Sequence, residues 1–225
     1  MFAGQDIILA CPHCQAIAKL RIPDVEEFPD MITWTDGWQT ATGLERPPRV
    51  SRCPACNRTF WVGEAEQFGF LAPGERPPGD RAGWADAPAL PSLDEAGVQQ
   101  ALDEGLASFP DLELELRVLL WWRGNDAFRR ADAPVGYPTS PAAIANMERF
   151  IEMTADEGAE DLLLFRAEAQ RHLGRFADME ATLGGVGCSD YWPAKSRLLD
   201  LAKVGNRKLD VLFLPRAVAG ESEEG

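Results

Sequence analysis

No run of the roughly 18 apolar residues that a membrane-crossing helix needs occurs in the 225-residue sequence, so nothing in it calls for a bilayer. A secretory leader is missing as well. Such a leader opens with basic residues and continues through an apolar stretch of roughly 7 to 15. Here no Lys or Arg precedes Cys11, and Asp6 confines the apolar run to residues 7–10. ILACPHC therefore does not read as a lipoprotein signal ending on a lipid-bearing cysteine, and the expected compartment is the cytoplasm.

Positive charge is scarce. There are 22 Lys and Arg against 36 Asp and Glu, which gives a formal net charge of −14 and a pI near 4.6. Phosphate binding draws on a surplus of cations, so a general nucleic-acid binder is disfavoured. Residues 1–70 hold six basic and nine acidic side chains, which leaves most of the acidity downstream. The usual catalytic constellations are also wanting. Only two histidines occur, and no Ser or Cys partner can be assigned to His172 by spacing. No phosphate-cradling Walker loop is present. Adjacent carboxylates such as Glu26 and Glu27 read as solvated. The sequence gives no support to an enzyme.

What is present is cysteine in a pattern. Four of the five cysteines form two Cys-Pro-x-Cys pairs, Cys11 with Cys14 and Cys53 with Cys56, and Cys188 stands alone. In a reducing cytosol two such pairs are the sequence form of a tetrahedral thiolate site for Zn2+. With two residues between them, both sulfurs of a tight turn point to the same side, and Pro12 and Pro54 fix φ just inside each turn. A glycine usually follows the second cysteine of such a knuckle, where φ is positive; Gln15 and Asn57 stand there instead, and Asn tolerates that conformation better than Gln. The 38 residues between Cys14 and Cys53 form a long insertion, but loop closure costs grow only logarithmically with length. A thioredoxin-like motif explains one pair and not two. A catalytic zinc keeps an open position, whereas four thiolates close the shell, so the predicted role is structural. His13 is expected to point away from the metal, and Cys188, with no Lys, Arg or His beside it, to be an unreactive structural thiol.

Around the knuckles, residues 6–9, 16–22 and 59–62 read as strands. Inside the insertion, Ile32-Thr33-Trp34-Thr35, the turn Asp36-Gly37 and Trp38-Gln39-Thr40 read as a hairpin that brings Trp34 and Trp38 together. Residues 72–91 carry Pro73, Pro77, Pro78, Pro88 and Pro91 and are assigned to a linker, part of which docks through Trp84. From Ser92 the apolar period becomes helical. Ser92 and Glu95 have capping-box spacing, and Val98, Leu102 and Leu106 share a face. A helix beginning near Pro110 is expected to end at Gly124 and Asn125, with Trp121 or Trp122 under its end. Another runs from about Pro141 to Thr154 behind Ser140. Leu162, Phe165, Ala169 and Leu173 form a further stripe; Gly174 breaks it, and Phe176, Met179 and Leu183 begin the next. His172 then lies at a helix C-terminus, where its charge suits the dipole.

Ala169, Leu173, Gly174 and Phe176 resemble the helix contact, turn and following aromatic of a tetratricopeptide repeat, over about one repeat. The order CPHC, WTDG, CPAC with Phe60-Trp61 close behind, LRVLLWWRGND and this helix pair resembles bacterial proteins that combine a zinc ribbon with helical repeats. That resemblance spans most of the chain, implies Cys11, Cys14, Cys53 and Cys56 as ligands, and brings no activity with it.

The expected fold is α+β: a zinc-ribbon domain over 1–71 with an inserted hairpin, a linker over 72–91, a tetratricopeptide-like helical domain over 92–217 and an acidic tail over 218–225. The expected function is that of a non-catalytic interaction or adaptor protein, with structural Zn2+ as cofactor and a protein partner bearing a basic surface. Two alternatives stand beside it. One is a nucleic-acid-associated regulator, in which Arg46, Arg49, Arg52 and Arg58 meet Trp34, Trp38 and Trp61. The other is a metal-dependent enzyme or sensor with a pocket at the domain junction.

Overall fold

Among the described residues seven strands precede six α-helices and one short strand follows them, and the fold is α+β. The computed structural model describes residues 4–23, 28–72, 74–77, 79–130 and 136–214. In chain order these form strands β1 (Asp6–Ala10), β2 (Ile17–Arg21), β3 (Ile32–Trp34), β4 (Gln39–Thr40), β5 (Val50–Arg52), β6 (Thr59–Trp61) and β7 (Glu66–Leu71). Helices α1 (Glu95–Asp103), α2 (Pro110–Arg129), α3 (Pro141–Met153), α4 (Glu160–His172), α5 (Phe176–Leu183) and α6 (Trp192–Lys203) follow, with strand β8 (Val211–Phe213) last. Two compact units divide them. The first takes the described residues within 1–27 and 43–108, the second those within 28–42 and 109–225.

In the first unit each cysteine pair sits on the turn of a hairpin, β1–β2 for the first and β5–β6 for the second. β1 is also paired antiparallel with β7, so the sheet order is β2-β1-β7. Alternation along the pleat sends Leu9, Ala18 and Leu20 to one face, where they pack with Phe60, Val62 and Leu90 around Cys11 and Cys53. The proline-rich stretch is ordered where it is described. The N–H of Lys19 donates to Pro88 O at 2.8 Å, and that of Leu90 to Lys19 O at 2.7 Å, so the chain lies along the free edge of β2. The Trp84 ring lies where a side chain at Gly69 would go, 2.9 Å from the position of an added Cβ. Backbone donors and acceptors of this segment thus pair with the sheet, as expected of its docking part. Pro73 and Pro78 lie outside the described residues, as do Glu26 and Glu27 and the acidic tail 218–225.

Helix α1 belongs to this unit too. Arg52 donates to Gln100 Oε1 at 2.6 Å, the Thr59 hydroxyl to Glu104 at 2.8 Å, and the Trp61 ring N–H to Leu106 O at 3.1 Å. Its N-cap is Asp94, whose carboxylate accepts from Gly97 N at 2.8 Å, and not the expected Ser92.

In the second unit Trp121, Met147, Phe150 and Ala169 join α2, α3 and α4, and Leu163, Ala167, Met179, Leu183 and Leu198 join α4, α5 and α6. Ser140 caps α3 through Ala143 N at 3.1 Å. Gly174, at φ +78°, separates α4 from α5. The WTDG hairpin belongs to this unit, in a sheet of order β4-β3-β8. Gly37 at φ +78° makes its turn, Gly37 N donates to Trp34 O at 2.9 Å, and Trp34 N donates to Trp38 O at 2.8 Å. The two units therefore do not follow 1–71, 72–91 and 92–217: the insertion groups with the second unit, and the 72–91 stretch and α1 group with the first. Nor does α2 end at Gly124 and Asn125. It continues to Arg129, because the Asn125 amide and the Arg129 guanidinium both bind the buried Asp36 carboxylate.

Candidate metal centre

Local backbone geometry prepares the four cysteines. Gln15 and Asn57 are the non-glycine residues with positive φ among those described, at +62° and +59°. Both follow the second cysteine of a pair, where the turn reverses the chain into the next strand. Gln15 N donates to Cys11 O and Asn57 N to Cys53 O, each at 2.9 Å, so the two knuckles are built alike. Amides also point at sulfur: His13 N lies 3.4 Å from Cys11 Sγ, and Ala55 N lies 3.4 Å from Cys53 Sγ.

The two pairs converge. Cys11 Sγ lies 3.8 Å from Cys56 Sγ, and Cys14 Sγ lies 3.7 Å from Cys53 Sγ. All four sulfurs fall within 4.8 Å of one another, and none is in a disulfide. A tetrahedron of sulfurs about 2.3 Å from a central ion has edges of about 3.8 Å, so the donor set fits a tetrahedral metal. Cys11 and Cys53 are buried, Cys56 is half-buried and Cys14 is exposed, which leaves one side of the cluster near solvent.

The thiols do not share charge evenly. Burial pushes Cys53 up, but the backbone N–H groups of Cys56 and Ala55 and the hydrogen bonds with Cys11 and Cys56 together bring the thiol down to about 7. The amide of Ala16 pulls Cys14 down, yet burial and hydrogen bonds with Cys56, Cys53 and Cys11 carry it up to about 12. Burial also raises Cys11. Four thiols this close hold few negative charges without a cation among them, and a bound metal ion releases the remaining protons.

His13 is not among the clustered donors. Its ring Nε2 lies 3.1 Å from Thr59 O and its ring stands edge-on to Phe60, so it ties the first knuckle to the strand leaving the second. A polar cleft of about 390 Å³ opens there, lined by His13, Asn57, Arg58, Thr59 and Glu104. Of the residues considered for nucleic-acid stacking, Trp61 is buried, and Trp34 and Trp38 belong to the second unit. Cys188 is exposed; its backbone N–H donates to Glu160 at 2.9 Å and its carbonyl accepts from Tyr191 N at 3.2 Å.

The second unit holds a polar cluster that the sequence did not signal. Asp36, at the hairpin turn, is fully buried and accepts from Asn125 Nδ2 at 2.7 Å, from the Arg129 guanidinium and from Trp38 N at 3.1 Å. Burial pushes its carboxyl up, and Arg129, Asn125 and the Trp38 amide oppose that. Trp122 donates to Asp36 O at 2.8 Å and packs against Trp38 with ring centroids 5.0 Å apart and the ring planes tilted by 55°. On α4, Glu168, Arg171 and His172 are all fully buried. Glu168 takes the Arg171 guanidinium at 2.6 and 2.7 Å and His172 Nε2 at 2.8 Å. Burial alone would raise Glu168, but Arg171 and His172 hold it down at about 2. Arg171 also donates to Lys208 O at 2.8 Å and to the Thr35 hydroxyl at 3.4 Å, which fastens the segment before β8 and the hairpin to α4.

No family model, curated protein or solved structure matches this chain. Among the described residues no helix is long and apolar enough to cross a membrane.

Proposed function

We propose that the chain is a non-catalytic interaction protein, an adaptor whose first unit is a zinc ribbon closed by structural Zn2+ on Cys11, Cys14, Cys53 and Cys56. The observation that carries this reading is the closed donor set. Four sulfurs at tetrahedral spacing leave no coordination position for a substrate or an activated water. The metal supplies folding energy to a unit with a small apolar core, and amides aimed at the sulfurs support the thiolates. Free thiols suit a reducing cytoplasm.

The second unit is read as tetratricopeptide-like. The α4–α5 pair, with Ala169 buried, Gly174 in the left-handed region and Phe176 after it, supports that reading, and such pairs serve protein partners. With a net charge of −14, the partner presents a basic surface and association weakens with salt. Crosslinking the zinc-loaded chain to partners from its host and mapping the linked residues tests the reading. Partners that recur and map to one face of the second unit support it; turnover of a substrate lost on mutating a cleft residue contradicts it.

A further inference from the structure

A small apolar cleft of about 140 Å³ opens in the second unit. Leu164 and Phe165 of α4, Tyr191 and Leu198 at and beyond the start of α6, and Leu212 of β8 form its walls, and Asp161 lies at its edge. Gly37 of the hairpin turn closes one side, because a Cβ there would stand 2.8 Å from the Phe165 ring. The cleft thus depends on the hairpin and on β8, elements outside the helix pairs.

Its size, rim and charge restrict what enters. A cavity of about 150 Å³ lined by aliphatic and aromatic side chains accommodates one benzene ring, so this cleft takes a single Leu- or Phe-sized side chain. Trp192 and Leu214, close in sequence to Tyr191 and Leu212, are 57% and 70% exposed. Exposed apolar side chains beside a charged one mark an interaction site. At and before the start of α4 the exposed carboxylates are Asp156, Glu157 and Asp161, while Arg149 pairs with Glu152 and Arg166 binds the Thr154 and Ala155 carbonyls. Asp161 is exposed and its carboxylate accepts the N–H of Leu162 at 2.9 Å; no described cation pairs with it.

We infer that this cleft binds a segment of a partner protein in which one Leu- or Phe-sized side chain is flanked by Lys or Arg. The apolar side chain fills the cleft and a flanking cation meets the exposed Asp161 carboxylate. The inference rests on the adaptor reading and names the site and the chemistry of its partner.

Selection of a displayed library of random peptides on the immobilised, zinc-loaded full chain tests it. The expected consensus is one large aliphatic or aromatic residue with Lys or Arg within a few positions. Asp161→Lys, an exposed change, should weaken a synthetic consensus peptide by about tenfold and flatten its dependence on salt between about 0.05 and 0.5 M. Leu212→Glu should weaken it by at least as much, with melting behaviour checked for both variants. An acidic or purely polar consensus, or none, overturns the inference, as does a basic-apolar consensus whose binding both variants leave unchanged. In that last case peptide recognition stands and the adaptor reading survives with a different site. Self-association of the wild-type chain that Leu212→Glu abolishes also overturns it, because the occupant is then a second copy.

Discussion

Each unit buries a polar cluster, and the two clusters are neutralised in opposite ways. In the first unit four sulfurs gather within 4.8 Å of one another and the fitting cation is one the chain does not encode. In the second, Asp36 and Glu168 are fully buried, and Arg129 and Arg171 supply the opposite charge from α2 and α4. If a metal ion fills the first cluster, as proposed, its unit is conditional on that ion. The second makes its unit self-sufficient but exacting, because a buried charge that loses its partner has no water to fall back on.

Metal removal should separate the two most sharply. Structural zinc contributes about 10–16 kcal/mol of apparent binding energy, comparable with a domain's whole stability of about 5–15 kcal/mol. Cys53→Ser, or a strong chelator, should therefore abolish amide-exchange protection in β1, β2 and β6 while helical circular dichroism is largely retained. Loss of both signals together would show that the units are not independent.

Arg171→Met is the counterpart in the second unit. It strands Glu168, and breaking a buried pair from one side costs about 3–5 kcal/mol. Urea denaturation followed by exchange in α4 should show that loss with zinc content unchanged.

Acid should act on the same group. Glu168 is held at about 2, below its ordinary 4.5, so it contributes stability that is present above about pH 4.5 and disappears as pH falls toward 2. The sum is about 3 kcal/mol at the usual rate of 1.36 kcal/mol per pH unit. Exchange in α4 between pH 5 and pH 2.5 should follow that slope, and Glu168→Gln should flatten it.

The smallest effects are local. Gln15→Gly relieves a left-handed conformation that costs an ordinary residue about 1–2 kcal/mol, so it should raise the midpoint of the first unit, and Asn57→Gly should do so less. Asp94→Ala and Ser140→Ala each remove a helix cap worth about 1 kcal/mol, the first from the first unit and the second from the second. Separate melting transitions assigned to each unit check all four.

The four-cysteine cluster was legible because its signal is local. Two Cys-Pro-x-Cys turns announce both their geometry and their need for each other, and even the positive φ at Gln15 and Asn57 follows from their place after the second cysteine. The hairpin at Asp36-Gly37 was legible for the same reason. What it touches was not. Asp36 reads as an ordinary turn residue until Asn125 and Arg129 are brought to it from 89 and 93 positions away, and no periodicity encodes that meeting. The same contact explains why Gly124 and Asn125 were mistaken for a helix end: local capping chemistry favoured a stop, and a tertiary ion pair carried the helix on to Arg129. His172 looked like a residue suited to a helix terminus; its partner Glu168, one turn back, becomes visible only once both are known to be buried. Strands β7 and β8 were missed because each exists through pairing with a strand distant in sequence.

The account turns on the closed thiolate centre. X-ray absorption at the zinc edge, on full-length protein purified without chelator, tests it most directly. One zinc per chain with four sulfur neighbours at about 2.3 Å and no nitrogen or oxygen shell is the predicted result. A chain that folds without metal, or a zinc that carries a nitrogen or oxygen ligand in place of one of the four cysteines, would contradict it.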